Sequence, residues 1–347
     1  MNSVVVIGAG LIGTSIALGC KKSGLDVELF DKDLRAQKLA NDLVNSVEVK
    51  DPDLVVLATP IGAIKGLLPK LIERYPKAVF IDTGSVKTKV ELDIQGFELE
   101  NFCPTHPMAG RELDGAEAAQ SDLFQGRTWV ITPTSKSSKK SIELATQLIE
   151  LLGAKKIEMS PTDHDASVAL VSHLPQLISS LLAGQLSDAP VNKLELAGSG
   201  IIDTTRIAAS NPELWEEILK NNRNAILPLL IDFQNDLSTL IADLEGNVKS
   251  VLTKGNSGRS KLPGKHGGAK RDYIFLPVVI DDKPGQLAKL FEECAAVEVS
   301  VEDLTIEHSP GQETGLITLA LNANQAKALE LHLKNAGWRV HPPRLEK

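Results

Sequence analysis

The chain has 347 residues, 42% hydrophobic and 24% charged, a balance that excludes wholesale disorder and gives each of two or three domains enough apolar residues for a core. A net charge of −8 excludes a general affinity for nucleic acid or anionic lipid, so positive charge for an anionic ligand must be concentrated locally. Cys20, Cys103 and Cys294 are scattered and form no CxxC pair, which fits a reducing compartment and points to no metal centre.

The N-terminus carries no basic or apolar signal and runs straight into a strand, Val4 to Ile7. No stretch approaches the ~20 apolar residues that a membrane span needs, so the expected location is the cytoplasm, without membrane contact. After a Gly-rich turn the pattern predicts a helix over 11–22, then strands at Val27 to Phe30, Leu54 to Ala58 and Val79 to Asp82. Strands apolar throughout are buried on both faces, and their alternation with helices predicts an α/β Rossmann-like domain over residues 1–160. Further strands are expected near Phe102, at Trp129 to Thr132 and around Lys155 to Glu158, with a helix over 137–152.

From Pro161 long helical segments take over, predicting an all-α substrate and dimerisation domain over 161–250. Leu170 to Leu186 reads as one mostly apolar helix, buried in a core or against another subunit. Pro212 to Leu244 reads as one or two helices, bent or interrupted at Pro228. Residues 251–271 read as a basic Gly-rich linker, carrying Lys254, Arg259, Lys261, Lys265, His266, Lys270 and Arg271. A solvated tether is favoured over a flap that closes on an anion. Residues 272–342 follow a βαββα order, with a short last strand at Arg339 to Val340, which predicts a small α+β module.

Gly8-Ala9-Gly10-Leu11-Ile12-Gly13 is a GxGxxG turn set between strand and helix. Gly8 permits the turn, Gly10 lets the backbone approach a pyrophosphate, and Gly13 lets helix and strand pack closely. Asp31 closes the second strand, where a carboxylate accepts the ribose hydroxyls of NAD and repels the 2′-phosphate of NADP; Arg35 leaves some NADP use open. Ligands of such sheets lie beyond the strand ends, which here carry Thr59, Ser85 and His106. An alcohol dehydrogenase needs a base of near-neutral pKa there, and histidine fits.

Asp82-Thr83-Gly84-Ser85-Val86-Lys87, His106-Pro107-Met108-Ala109-Gly110-Arg111-Glu112, Ser172-His173-Leu174-Pro175 and Asp203-Thr204-Thr205-Arg206-Ile207-Ala208 with Trp215 resemble the signature of prephenate and arogenate dehydrogenases. With the glycine turn, these motifs follow the family's order across positions 8 to about 222. The resemblance implies NAD-dependent oxidative decarboxylation in tyrosine biosynthesis. His106 would deprotonate the C4 hydroxyl, Ser85 would position His106 and the nicotinamide, and Arg206 would hold a substrate carboxylate. Glu112 and His173 would join a polar network around the pocket, and Trp215 would pack beside Arg206. Read on their own, His173 fits a core histidine as well as a contact, Glu112 a helix-start carboxylate, Trp215 a packing anchor, and His164-Asp165 a capping or network pair. Family members often carry a basic residue where this chain has Ile202, which leaves prephenate against arogenate open.

Ile280-Asp281-Asp282-Lys283-Pro284-Gly285-Gln286-Leu287 resembles the opening of an ACT domain. The resemblance implies paired regulatory modules, a homodimer, and an amino-acid effector, tyrosine, held at Asp282, Pro284, Gly285, Gln286 and Leu287. Two rivals remain: another dehydrogenase or imine reductase of similar build, and a non-catalytic NAD and amino-acid sensor. The first lacks the combined Ser85, His106 and Arg206 motifs, and the second has no need of a base and a carboxylate clamp.

Overall fold

Five short strands, β1 (Ser3–Ile7), β2 (Asp26–Phe30), β3 (Leu54–Leu57), β4 (Val79–Asp82) and β5 (Phe102–Cys103), make a parallel sheet in the order β2-β1-β3-β4-β5. The computed structural model describes residues 1–97, 99–110, 115–262, 273–307, 311 and 313–345, and these fall into two units, Met1–Asn256 and Ser257–Lys347. In β1, Val4 and Val6 face one core, with Ile16, Ile81 and Trp129. Val5 and Ile7 face the other, with Val55 and Phe80. That period of two, apolar on both faces, requires helices on both sides of the sheet. α1 (Leu11–Lys22), α2 (Leu34–Val44), α3 (Ile61–Arg74) and α4 (Lys87–Ile94) alternate with the strands.

At Pro104 the chain leaves this sheet and enters a second one. Here β6 (Thr105–Pro107) runs antiparallel to β7 (Thr128–Ile131), which runs parallel to β8 (Lys155–Glu158). α5 (Lys139–Leu151), capped by the Ser138 side chain, connects β7 to β8.

The remainder of the first unit is helical, and four expectations are corrected there. The run over 170–186 is part of a longer helix: α6 (Pro161–Val168) continues through a π turn (Ala169–His173) into α7 (Leu174–Gly184). Pro175 has no N–H and its ring crowds the carbonyl four residues back, so the helix widens just before it. α8 (Val191–Leu194), α9 (Ser199–Thr205) and a 3-10 turn (Arg206–Ala209) then lead to α10 (Pro212–Asn221) and α11 (Arg223–Ala242). The break between those two falls at Asn222 rather than Pro228, which stays inside α11. Asn222 is buried and donates to the Asp165 carbonyl, a tertiary bond that ends α10.

α12 (Leu244–Ser260) runs through the first ten residues of the expected linker. Leu244, Val248, Val251 and Leu252 keep helical spacing and Lys254 pairs with Asp236 at 2.6 Å, although Gly255 and Gly258 each cost the helix roughly 1 kcal/mol. Lys265, His266, Lys270 and Arg271 lie outside the described residues. Finally, Pro161–Gly184 and Arg223–Ala242 have the length and apolar content of a membrane span. Mean hydropathy tolerates the isolated charges, such as Asp165 and Asp232, that interrupt an unbroken apolar stretch.

The second unit is a four-stranded antiparallel sheet, β10-β11-β9-β12, built from β9 (Tyr273–Asp281), β10 (Asp303–Glu307), β11 (Thr314–Asn322) and β12 (Arg339–Val340). α13 (Gln286–Ala296) and α14 (Ala323–Asn335) pack Leu290, Cys294, Leu329 and Leu333 against Leu276 and Val278. α13 starts at Gln286, two residues past the expected Pro284, because Gly285 sits at φ +85° and caps it.

Among the described residues, the tightest backbone approach surrounds the glycine turn. A Cβ on Gly13 would lie 2.0 Å from the Gly8 carbonyl oxygen, and one on Gly8 2.2 Å from that of Ala58. Gly13→Ala is therefore expected to push α1 off β1, lowering stability by about 1–3 kcal/mol and NAD affinity at least about tenfold. Urea denaturation and nucleotide fluorescence titration measure the two effects; wild-type values in both would contradict the packing argument.

Candidate active site

The base expected at the strand ends is placed by a buried ion pair. Asp82 ends β4 and Lys87 begins α4; both side chains are fully buried, and the Lys87 ammonium donates to Asp82 Oδ2 and, at 2.6 Å, to the Thr105 carbonyl. Asp82 also accepts from the Gly84 amide at 2.8 Å and the Thr105 amide at 3.1 Å. Thr105 Oγ1 returns a bond to the Asp82 carbonyl and accepts from Trp129 Nε1. His106 follows Thr105 in β6, so this lattice fixes its backbone. Burial pushes the Lys87 ammonium down, and Asp82 and Asp165 recover only part of that shift.

His106 lines a cavity of about 670 Å³ together with Gly10, Leu11, Ile12, Thr59, Ser85, His173, Arg206 and Trp215. The structure thus brings together residues named from five separate motifs. Gly8 and Gly13 lie behind the lining and set the packing of α1. Asp31 does not line the cavity; at the end of β2 it accepts from the Ala9 amide at 2.7 Å and the Asp33 amide at 2.8 Å. Glu112 lies outside the described residues. Of the expected effector residues, Gln286 lines a separate cavity of about 210 Å³ with Asp281, Trp338 and Arg339. Asp282, Pro284 and Gly285 are exposed on the turn before α13, and Leu287 packs on the module's core.

His106 Nδ1 lies 2.8 Å from His164 Nε2, and His164 Nδ1 lies 2.7 Å from Asp165 Oδ1. Ser85, expected to position His106, makes no hydrogen bond to it among the described residues; His164 occupies that nitrogen instead. Burial, His164 and Lys87 hold His106 well below the ordinary imidazole range, so at neutral pH the ring is uncharged. Burial pushes Asp165 up, yet His164, Thr88 and the amides of Lys87 and Thr88 outweigh it and hold it below the usual carboxylate value.

His173 sits on the π turn, buried, with its ring edge-on to Trp215 at 6.0 Å between centroids. Its Nδ1 is 3.0 Å from Asn222 Nδ2, and burial lowers its pKa to about 4. The same amide nitrogen donates to the Asp165 carbonyl, which can only accept. That fixes the amide orientation: Asn222 donates to His173 Nδ1, leaving the proton on His173 Nε2. Gln176 Nε2 and Ser179 Oγ, buried on α7, donate to the Ile207 and Thr204 carbonyls at 2.9 and 2.8 Å and hold the turn that carries Arg206. His164, Asp165, Asn222 and Gln176 were not singled out for the site by the sequence. Only the adjacency of His164 and Asp165, read as a local pair, hinted at them.

The cradle fits a dinucleotide. Nothing lies within 4 Å of a Cβ built on Gly10, so the turn is open where a pyrophosphate approaches the α1 amides. The buried Thr59 hydroxyl, on the cavity wall, has no hydrogen-bond partner, as a ligand contact requires.

A nucleotide cradle opening on an uncharged, half-buried imidazole defines a nicotinamide-dependent dehydrogenase. Residues 16–158 match the family described as the prephenate dehydrogenase nucleotide-binding domain, and residues 160–255 its dimerization domain. The chain is 29% identical to the prephenate dehydrogenase of Bacillus subtilis (strain 168), over 93% of each chain. It is similar to the crystal structure of prephenate dehydrogenase from A. aeolicus in complex with hydroxyphenyl propionate and NAD+: 28% identical, TM-score 0.68, covering 75% of this chain and 98% of that one. It is also similar to the structure of Synechocystis arogenate dehydrogenase: 30% identical, TM-score 0.63, covering 75% and 99%. The chain belongs to the prephenate dehydrogenase family.

Because the Lys87–Asp82 pair is fully buried, removing one partner strands the other. Lys87→Met is expected to cost about 3–5 kcal/mol, read as a lowered urea midpoint by tryptophan fluorescence. A cost below about 1 kcal/mol would mean the pair is not what anchors β6.

Proposed function

We propose that the chain is a prephenate dehydrogenase, converting prephenate to 4-hydroxyphenylpyruvate and CO2 with NAD. The observation that carries this reading is His106, uncharged and half-buried, in one cavity with Arg206, His173 and the α1 nucleotide cradle. NAD, when bound, accepts the hydride that leaves the ring C4. His106 Nε2 takes the C4 hydroxyl proton as the hydride departs, and aromatisation follows loss of the ring carboxylate as CO2. Arg206 at the cavity rim matches a substrate carboxylate bidentately. His173 offers an Nε2–H donor, Trp215 an apolar wall, and Thr59 and Ser85 hydroxyls on the cofactor side. Asp31, beside the Ala9 amide, is the selector against NADP.

Ile202, 60% exposed where a basic residue is common in the family, and the Synechocystis arogenate dehydrogenase relative favour arogenate as the second reading. Leu170, Val171, Leu181, Ile231 and Ile241 are exposed on the helical region, and another copy of the chain is their natural cover, giving a homodimer. The cytoplasm suits such an enzyme. The second unit, antiparallel with two helices and a Gly285 turn, supports the ACT-like reading with tyrosine as feedback effector.

NADH formation with prephenate and arogenate, each offered with NAD+ or NADP+, tests the main reading. Turnover of prephenate with NAD+ is expected, and His106→Asn should lower kcat by roughly 10²–10⁴-fold at unchanged NAD affinity. NAD binding with no turnover of either substrate would favour a sensor instead. Feedback is tested separately: tyrosine should inhibit the full chain but not a chain ending at residue 262. Equal inhibition of both would remove the second unit from regulation.

A further inference from the structure

The reading of His106 as base leaves open which of its nitrogens holds the proton. Asp165 answers this from its own surroundings. Oδ1 accepts from the Lys87 amide at 2.7 Å and faces His164 Nδ1; Oδ2 accepts from the Thr88 amide at 2.9 Å and from the Thr88 hydroxyl. A carboxyl group surrounded by donors on both oxygens is an ionised acceptor. His164 Nδ1 therefore carries the proton in that bond. In the uncharged ring His164 Nε2 is then a lone pair, and it faces His106 Nδ1 at 2.8 Å. His106 Nδ1 must donate, which leaves its Nε2 as a lone pair with no protein partner among the described residues, on a ring that lines the cavity.

From this geometry we propose that His164 and Asp165 are positioning residues that lock His106 in the Nδ1–H form, with Nε2 as the proton acceptor for substrate. The proposal rests on the reading of His106 as base and adds the two residues that arm it. The His164 and Asp165 side chains are almost wholly buried, 1% and 5% exposed, so water does not replace either bond. Among the described residues, the charged and titratable groups around His106 are His164 and Asp165 on α6, Lys87 on α4, Asp82 on β4 and His173 on the π turn. Of these only Asp165 reaches His106 through a hydrogen-bonded ring. When His106 takes a proton, the new positive charge lies one imidazole away from that carboxylate. This is the logic by which a buried aspartate orients a histidine base and stabilises its cation, with one ring interposed.

The decisive comparison is between His164→Leu, which removes the acceptor, and His164→Gln, whose amide oxygen restores it. His164→Leu is expected to lower kcat on the order of 100-fold while KM and NAD affinity stay within about threefold. His164→Gln is expected to recover at least about tenfold of that loss. If His164→Leu turns over like the wild type, or if the two variants are equally impaired, the proposal is overturned. Against failure to fold, the wild-type full chain carrying 15N-histidine gives a second reading. The His106 resonances, assigned against His106→Asn, should show Nδ1 protonated and Nε2 bare at neutral pH; the reverse tautomer overturns the proposal without reference to activity. Should His106→Asn itself retain full turnover, it is the base assignment that falls, and the nitrogen spectra still decide the tautomer.

Discussion

The Lys87–Asp82 pair governs the site because it is where three pieces of backbone are pinned to one point without water. Asp82 ends the fourth strand of the parallel sheet, Lys87 starts the next helix, and Thr105 opens the strand of the second sheet that presents His106. A buried ion pair is weak evidence for stability, since an apolar pair of the same volume often serves as well. Its value here is directional. Asp82 accepts from three groups on three segments, and an apolar side chain has no means of choosing that register. The fold thus spends a costly desolvation on fixing one strand, and that strand carries His106.

The same pair explains how an acidic protein holds an anionic substrate without a general positive field. Lys87 is neutralised by Asp82 and faces Asp165, so its charge does not reach the cavity as a free cation. Among the described residues lining the cavity, Arg206 is the only Lys or Arg. Positive charge on the described cavity wall is thus confined to one exposed guanidinium at the rim. Burial first, then His164 and the Lys87 ammonium, hold the His106 pKa down. The ring is therefore uncharged near neutrality.

Much of this was legible in the sequence because the signals were local. β1 and β3 came from unbroken apolar runs, β2 and β4 from short runs carrying Glu28 and Asp82, α1 from its glycine turn, and the order of the second unit from its alternation. The cavity residues His106, Ser85, Arg206 and Trp215 were legible as motif members. Contacts between distant segments were not. Asn222 looked like an ordinary helix residue, yet its amide ends α10 and orients His173. The interruption at Ala169–His173 needed both Pro175 and the burial of His173, which periodicity cannot register. The helix through Ser260 was hidden by two glycines, although its apolar spacing to Leu252 was in plain view.

Capping shows why the nucleotide-binding and helical regions fold as one unit. α2, α5, α6 and α10 each begin with a side chain of their own that accepts a backbone N–H: Asp33, Ser138, Ser160 and Asn211. α3 and α4, which border the cavity, begin at Pro60 and Val86 and have no such cap. Their free amides are met from the helical region instead. Glu217 on α10 accepts from the Gly62 amide at 2.7 Å, and Asp165 on α6 accepts from those of Lys87 and Thr88. Each carboxylate also sits at the positive end of a helix dipole, which adds a favourable charge term to the bonds. The two regions are thus joined across the cavity by orphan donors that neither could satisfy alone. Asp165 belongs to both arrangements, so the contact that seats the helical region on α4 is also the one that orients the histidine pair.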